Sequence, residues 1–284
     1  MKFTDQGIIF IVAITVLRSV LAGGCATNVQ TVNTAPRIVS VGALLPLTGD
    51  AASVGEGINS TLYAAETDIN SYLAATNASM RVHLIVKNTG TTPDRALAAL
   101  KELHAEGVEA VVGPYTSAEL KAIAPYSNET GMVLISYGST VTSLGIMRNN
   151  VFRLVPDDSN LGPALAALMR SDGIRVLVPF VRDDIWGNGF INDMKATFEQ
   201  KGGLVEAGAR FAPGTTNFTG LLDTIRPQLT QAIAQYGVGS VGVLFIGFSK
   251  ETVPMIMQAG NDSQWSSIKW YGSTATPMNL IQNP

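Results

Sequence analysis

The feature that most constrains this chain is a regular alternation of two patterns. Short apolar runs bounded by turn residues read as buried strands, and they fall at 38–45, 81–86, 110–112, 133–135, 175–180, 204–211, 241–247 and 268–271. Between them, apolar residues recur at helical spacing over 58–73, 93–105, 158–169, 189–200, 218–236 and 250–259, with a shorter helical pattern after Ser117. Residues 49–57 read as a glycine-rich turn. Strands that alternate with helices in this way predict an α/β fold, with parallel sheets flanked by helices. Phe152 to Pro156 reads as an extended crossing, which divides the chain into a first lobe over 37–155 and a second over 156–284.

The stretch from Val111 to Thr140 carries the clearest functional signal. An apolar run ends in Gly113-Pro114-Tyr115-Thr116-Ser117, a helix follows, and a second run ends in Ser136-Tyr137-Gly138-Ser139-Thr140. In a parallel sheet both loops leave the same carboxyl edge, where open α/β folds bind ligands. They offer hydroxyls and backbone N–H groups, and the first opens a helix whose N-terminus favours an anion. Neither loop brings a histidine, a thiol or paired carboxylates. These loops predict the holding of a small polar molecule rather than its transformation, with no cofactor.

Charge narrows the partners. Lys+Arg 19 against Asp+Glu 22 gives a net charge of -3 without a basic cluster, which argues against nucleic acid. His83 and His104 lie far apart and near no cysteine, so metal-ligand spacing is absent. The single cysteine, Cys25, follows an apolar run over 7–17 and the small residues Ala22-Gly23-Gly24. The run suits a secretory signal but is too short to span a bilayer. A lipoprotein signal over 1–25, with lipid on Cys25 anchoring the chain outside the cytoplasm, is one reading. A plain signal peptide with an incidental cysteine is the other. Residues 26–36 read as a tether.

Other motifs have plain explanations. Gly237-Val238-Gly239-Ser240-Val241-Gly242 matches a dinucleotide string, but it follows a helix and opens a strand, the reverse of what that site needs, and reads as a turn. Ser249 ends a strand as a nucleophile would, yet Glu251 stands where G-x-S-x-G requires glycine, so a hydrolase is the weaker reading. Thr116 and Glu119 form a capping box, which still leaves N–H groups free for a ligand. Trp186 lies in the polar run Arg182 to Gly189, either as half-buried core or as a cover over a ligand. Sequons occur at Asn59, Asn77, Asn128, Asn217 and Asn261, and matter only in a glycosylating host.

Together, Val41-Gly42-Ala43-Leu44-Leu45-Pro46-Leu47-Thr48-Gly49 with Gly55, Val111-Val112-Gly113 with Ser117, Ile135-Ser136 with Gly138-Ser139-Thr140, Asp184-Ile185-Trp186-Gly187 and Tyr271-Gly272 carry a likeness. From about Arg37 onward the chain resembles the branched-chain amino acid (Leu/Ile/Val) binding proteins of ABC importers, of the type I periplasmic binding fold. The resemblance implies two lobes that close on a ligand at a hinge, delivery to an ABC permease and no enzymatic activity. It implies that Ser117 and Thr140 bind a ligand carboxylate with help from Gly138 and Ser139. Tyr115 and Thr116 would lie near the ligand side chain, and Trp186 would face it from the second lobe. Three positions depart from the pattern. The acid that faces the ligand ammonium falls at Thr274, an aromatic after the strand near 243–246 falls at Ser249, and another falls at Val54. Either another acid serves, or the ligand is an amide, a carboxylate or an aromatic acid. A sensor of the same fold is the alternative role. The resemblance also implies a further crossing back to the first lobe, so the chain is expected to continue beyond Pro284.

Overall fold

In the computed structural model, the described residues are 35–145, 149–273 and 275. The elements run β1 (Arg37–Leu45), α1 (Ala52–Ala75), β2 (Met80–Asn88), α2 (Pro93–Ala105), β3 (Ala110–Val112), α3 (Ser117–Thr130), β4 (Val133–Ser136) and β5 (Val151–Arg153). Then follow α4 (Asp158–Ser171), β6 (Val176–Arg182), α5 (Ile185–Gln200), β7 (Leu204–Val205), β8 (Ala209–Phe211), α6 (Thr219–Tyr236), β9 (Val241–Ile246), α7 (Ser249–Gly260), α8 (Ser263–Ser266) and β10 (Lys269–Gly272).

They form two parallel sheets. The first has the order β2-β1-β3-β4-β5, and the second has β10-β9-β6-β7 with β8 also on β6. The strands read as unbroken apolar runs because helices cover both faces of each sheet. Successive residues of β6 serve opposite sides. Val176, Val178 and Phe180 pack with Phe245, Trp265 and Leu229, whereas Leu177 and Val181 pack with Phe190, Met194 and Phe198. On the first sheet Leu44 faces α2 and α3, while Ala43 and Leu45 face Ile58 and Leu62 of α1.

Three local expectations are corrected. Residues 49–57 are not all turn, because α1 already begins at Ala52. Gly55 sits inside that helix where it crosses the end of β1, and a Cβ there would lie 2.3 Å from the Pro46 carbonyl oxygen. Its glycine marks a close approach rather than a bend. Likewise α5 starts at Ile185, four residues before Gly189, because Asp184 accepts from the Gly187 N–H and caps it. Trp186 is therefore on a helix, not in a loop. The strand expected over 204–211 is broken between β7 and β8 at Gly208, whose φ is +61°. The glycine string from Gly237 forms a turn and a 3-10 segment (Val238–Ser240) before β9.

Candidate functional site

A cleft of about 70 Å³ opens between the carboxyl edges of the two sheets, lined by Tyr115, Thr116, Ser117, Gly138, Thr140, Trp186, Phe248 and Ala275. Six of the residues singled out in the sequence meet there. The loops after β3 and β4 bring five of them, and α5 brings Trp186 from the opposite side. Gly138 is where the loop after β4 passes Tyr115, with a Cβ position only 2.3 Å from the ring. The other expected residues lie elsewhere. Ser139 is fully buried behind the wall, with its Oγ 3.0 Å from that of Ser117. Ser249 lines a smaller adjoining chamber. Thr274 and Cys25 fall outside the described residues.

The hydroxyls in the wall are not equivalent. Thr116 Oγ1 donates to Glu119 Oε2 at 2.7 Å and accepts from the Glu119 N–H, so the capping box engages it fully. Its proximity to the ligand side chain, implied by the resemblance, therefore comes without a free hydroxyl proton. Ser117 Oγ faces Ser139 and accepts from the Val141 N–H at 3.4 Å. The N–H groups of Ser117 and Ala118, in the first turn of α3, have no intrahelical acceptor. Ser117 thus sits beside donors suited to a carboxylate.

Thr140 is oriented differently. Its Oγ1 donates to Asp158 Oδ2 at 2.8 Å, and its carbonyl accepts from the Asp158 N–H at 2.8 Å. A hydroxyl has one proton, so toward the cleft Thr140 offers lone pairs and can only accept. Asp158 itself is 1% exposed, at the start of α4. Burial pushes its carboxyl up, while the hydrogen bond from Thr140 pulls the other way. The sequence hid this residue because Asp157-Asp158-Ser159 reads as a helix cap. Asp157 is in fact the cap, accepting from the Ser159 N–H at 3.1 Å, and the next carboxylate turns inward.

Phe248 was also missed. The aromatic expected at Ser249 stands one position earlier, stacked on Trp186 at 5.1 Å and tilted against Tyr115 at 6.1 Å, so one aromatic wall joins residues that follow strands of both sheets. Behind Phe248 lies Arg182, its guanidinium 4.4 Å from the ring centroid. Arg182 is 3% exposed and pairs with Asp184 at 2.7 Å, Asp50 at 3.1 Å and, more closely, Glu251. Asp50, in the loop between β1 and α1, also faces Lys250 at 3.6 Å. Burial lowers the Arg182 pKa, but the three carboxylates outweigh it and hold the guanidinium charged. Among the described residues no group of three or more His, Cys, Asp or Glu side chains is placed to hold a metal ion, and no helix is long and apolar enough to cross a membrane.

The chain belongs to the type I periplasmic binding protein family, whose model matches residues 38–263. An uncharacterized protein of Methanocaldococcus jannaschii is 28% identical over 267 residues, covering 90% of this chain and 63% of its own length. The fold is shared with the leucine-binding protein LivK of Thermotoga maritima, at 22% identity and a TM-score of 0.67, covering 82% of this chain and 62% of that one. It is shared too with an ABC-transporter solute-binding protein of R. palustris in complex with 4-hydroxybenzoate, at 18% identity and a TM-score of 0.68, covering 83% of this chain and 61% of that one. The chain spans under two thirds of the length of each of these relatives.

Proposed function

We propose that this protein captures a small zwitterion, an amino acid or a close analogue, outside the cytoplasm and delivers it to an ABC permease, tethered by lipid on Cys25. The carrying observation is the Thr140–Asp158 pair. A hydroxyl that already donates to a buried carboxylate presents an acceptor to the cleft with that carboxylate behind it, which suits an ammonium. Ser117 and the first turn of α3 present donors, which suit a carboxylate. Asp158 takes the part for which Thr274 had no charge. An aromatic acid such as the one bound by the R. palustris relative lacks the cation, and would leave Asp158 uncompensated.

Calorimetric titration of the full chain with each amino acid and its deaminated acid tests this. The amino acid is expected to bind about 10-fold to 100-fold more tightly, as for a charge-assisted hydrogen bond of about 1.5–3 kcal/mol. Asp158→Asn is expected to remove most of that preference. Equal binding of the deaminated acid by the unaltered chain would overturn the reading.

A further inference from the structure

The cleft does not end at the aromatic wall. Beyond Phe248 it continues into a chamber of about 20 Å³ lined by Asp50, Ala51, Ser53, Val54, Tyr115, Phe248, Ser249 and Ala275. Tyr115, Phe248 and Ala275 line both spaces, so a ligand seated by Ser117 and Thr140 would direct its far end there. We propose that this chamber receives a hydrogen-bond-donating group, so that the protein selects a ligand ending in a hydroxyl, carboxamide or ammonium over one with a branched aliphatic side chain. The inference rests on the amino-acid reading of the near end and names the class of side chain that reading leaves open.

The chemistry of the lining is the first argument. Asp50 contributes a carboxylate, while Ser53, Tyr115 and Ser249 contribute hydroxyls that engage no protein partner among the described residues. At the near end, by contrast, the hydroxyls of Thr116, Ser117 and Thr140 are all held by neighbours. The near end recognises what all amino acids share, and the far end is the part left free to discriminate. An aliphatic group pressed into it would strip water from a carboxylate and three hydroxyls and return no hydrogen bond.

Size is the second argument. A site needs about 10–15 Å³ of such space to hold one water, so the chamber takes only the tip of a ligand, and its choice between groups of equal size falls to the chemistry of its lining. Charge is the third. Both Asp50 oxygens already face cations, Oδ2 toward Arg182 at 3.1 Å and Oδ1 toward Lys250 at 3.6 Å. The same site holds Glu251 and Asp184 on that one guanidinium, so carboxylates outnumber cations and a donor is favoured there over a second anion.

Isosteric pairs test this with the full chain. Threonine against valine, asparagine against leucine and lysine against norleucine would be titrated calorimetrically, with the unaltered chain and with a Ser53→Ala/Ser249→Ala double variant. The polar member of at least one pair is expected to bind about tenfold or more tightly, with the preference shrinking in the double variant. Equal or tighter binding of the apolar member in every pair, or a preference unmoved by the double substitution, would overturn the inference and leave the amino-acid reading standing. If no α-amino acid bound, the amino-acid reading itself would fall, and this inference with it.

Discussion

Thr140 shows how one side chain sets the character of a site. Its type and place at a strand end were readable, since small polar residues after an apolar run mark a loop at the carboxyl edge. Its role was not, because the direction of one proton depends on Asp158, eighteen residues away in sequence and buried against it. Thr140→Ala removes the acceptor and leaves Asp158 short of a donor, so ligand affinity is expected to fall by about 1–3 kcal/mol. Thr140→Ser, which keeps the hydroxyl, should retain most of it in the same titration. Glu119 is a second case. It was read correctly as a capping residue, yet it is fully buried, with one carboxyl oxygen unpartnered, and the Tyr137 hydroxyl is unpartnered as well. Burial raises the Glu119 pKa above its unfolded value, against the hydrogen bonds from Thr116. A carboxyl raised in this way favours the fold below its unfolded pKa, and that contribution is lost as pH rises through the folded pKa. Glu119→Gln keeps an acceptor for Thr116 and does not ionise. Its melting temperature is expected to exceed that of the unaltered chain by about 2–4 °C at pH 8, with the gap closing toward pH 4. A gap that widened on acidification would contradict this.

Among the elements, strands were read better than the starts of helices. A parallel strand covered on both faces leaves a continuous apolar run, so β1, β6 and β9 are visible in composition alone. Helices α1 and α5 start earlier than their apolar spacing suggests because Gly55 and Gly187 lie inside them. Both glycines serve close approach, with Cβ positions 2.3 Å from the Pro46 oxygen and 2.1 Å from the Arg182 oxygen. Local propensity cannot distinguish a glycine that ends a helix from one that lets a helix touch its neighbour. The end of β6 raises a different question of partners. Arg182 leaves the strand into a pocket with Glu251, which is fully buried and also accepts from Gly214 N at 2.8 Å and Phe248 N at 2.9 Å. Arg182→Met would leave that carboxylate without its cation, at an expected cost of about 3–5 kcal/mol in denaturant unfolding. Adding Glu251→Leu should recover much of the loss, since an apolar pair of similar volume often replaces a buried ion pair without penalty. No recovery would mean that Glu251 is held chiefly by its backbone donors.

At the scale of the whole molecule, alternation was enough to foresee two parallel sheets but not how they meet. Contacts across the cleft join residues far apart in sequence, and no local pattern announces them. Asp50 reaches Arg182 and Lys250, Tyr115 tilts against Phe248, and Thr142 Oγ1 donates to Asp193 Oδ2 at 2.8 Å. The last of these is exposed, and neither of its residues lines the cleft. For the hinge closure that the resemblance implies, Thr142→Val keeps the shape, removes this hydrogen bond and is expected to weaken the closed form by about 0.5–1.5 kcal/mol. Observed affinity scales with the fraction of molecules in the binding-competent form, so it should fall by up to about tenfold with every cleft contact intact. Thr142→Ser, which keeps the donor, should behave as the unaltered chain. Paired spin labels on the two lobes would show the same change directly, as a larger share of long distances in the Val variant without ligand. An affinity loss with no change in those distances would place the effect in the cleft instead. A loss in the Ser variant with none in the Val variant would show that the methyl group of Thr142, not its hydrogen bond to Asp193, carries the effect.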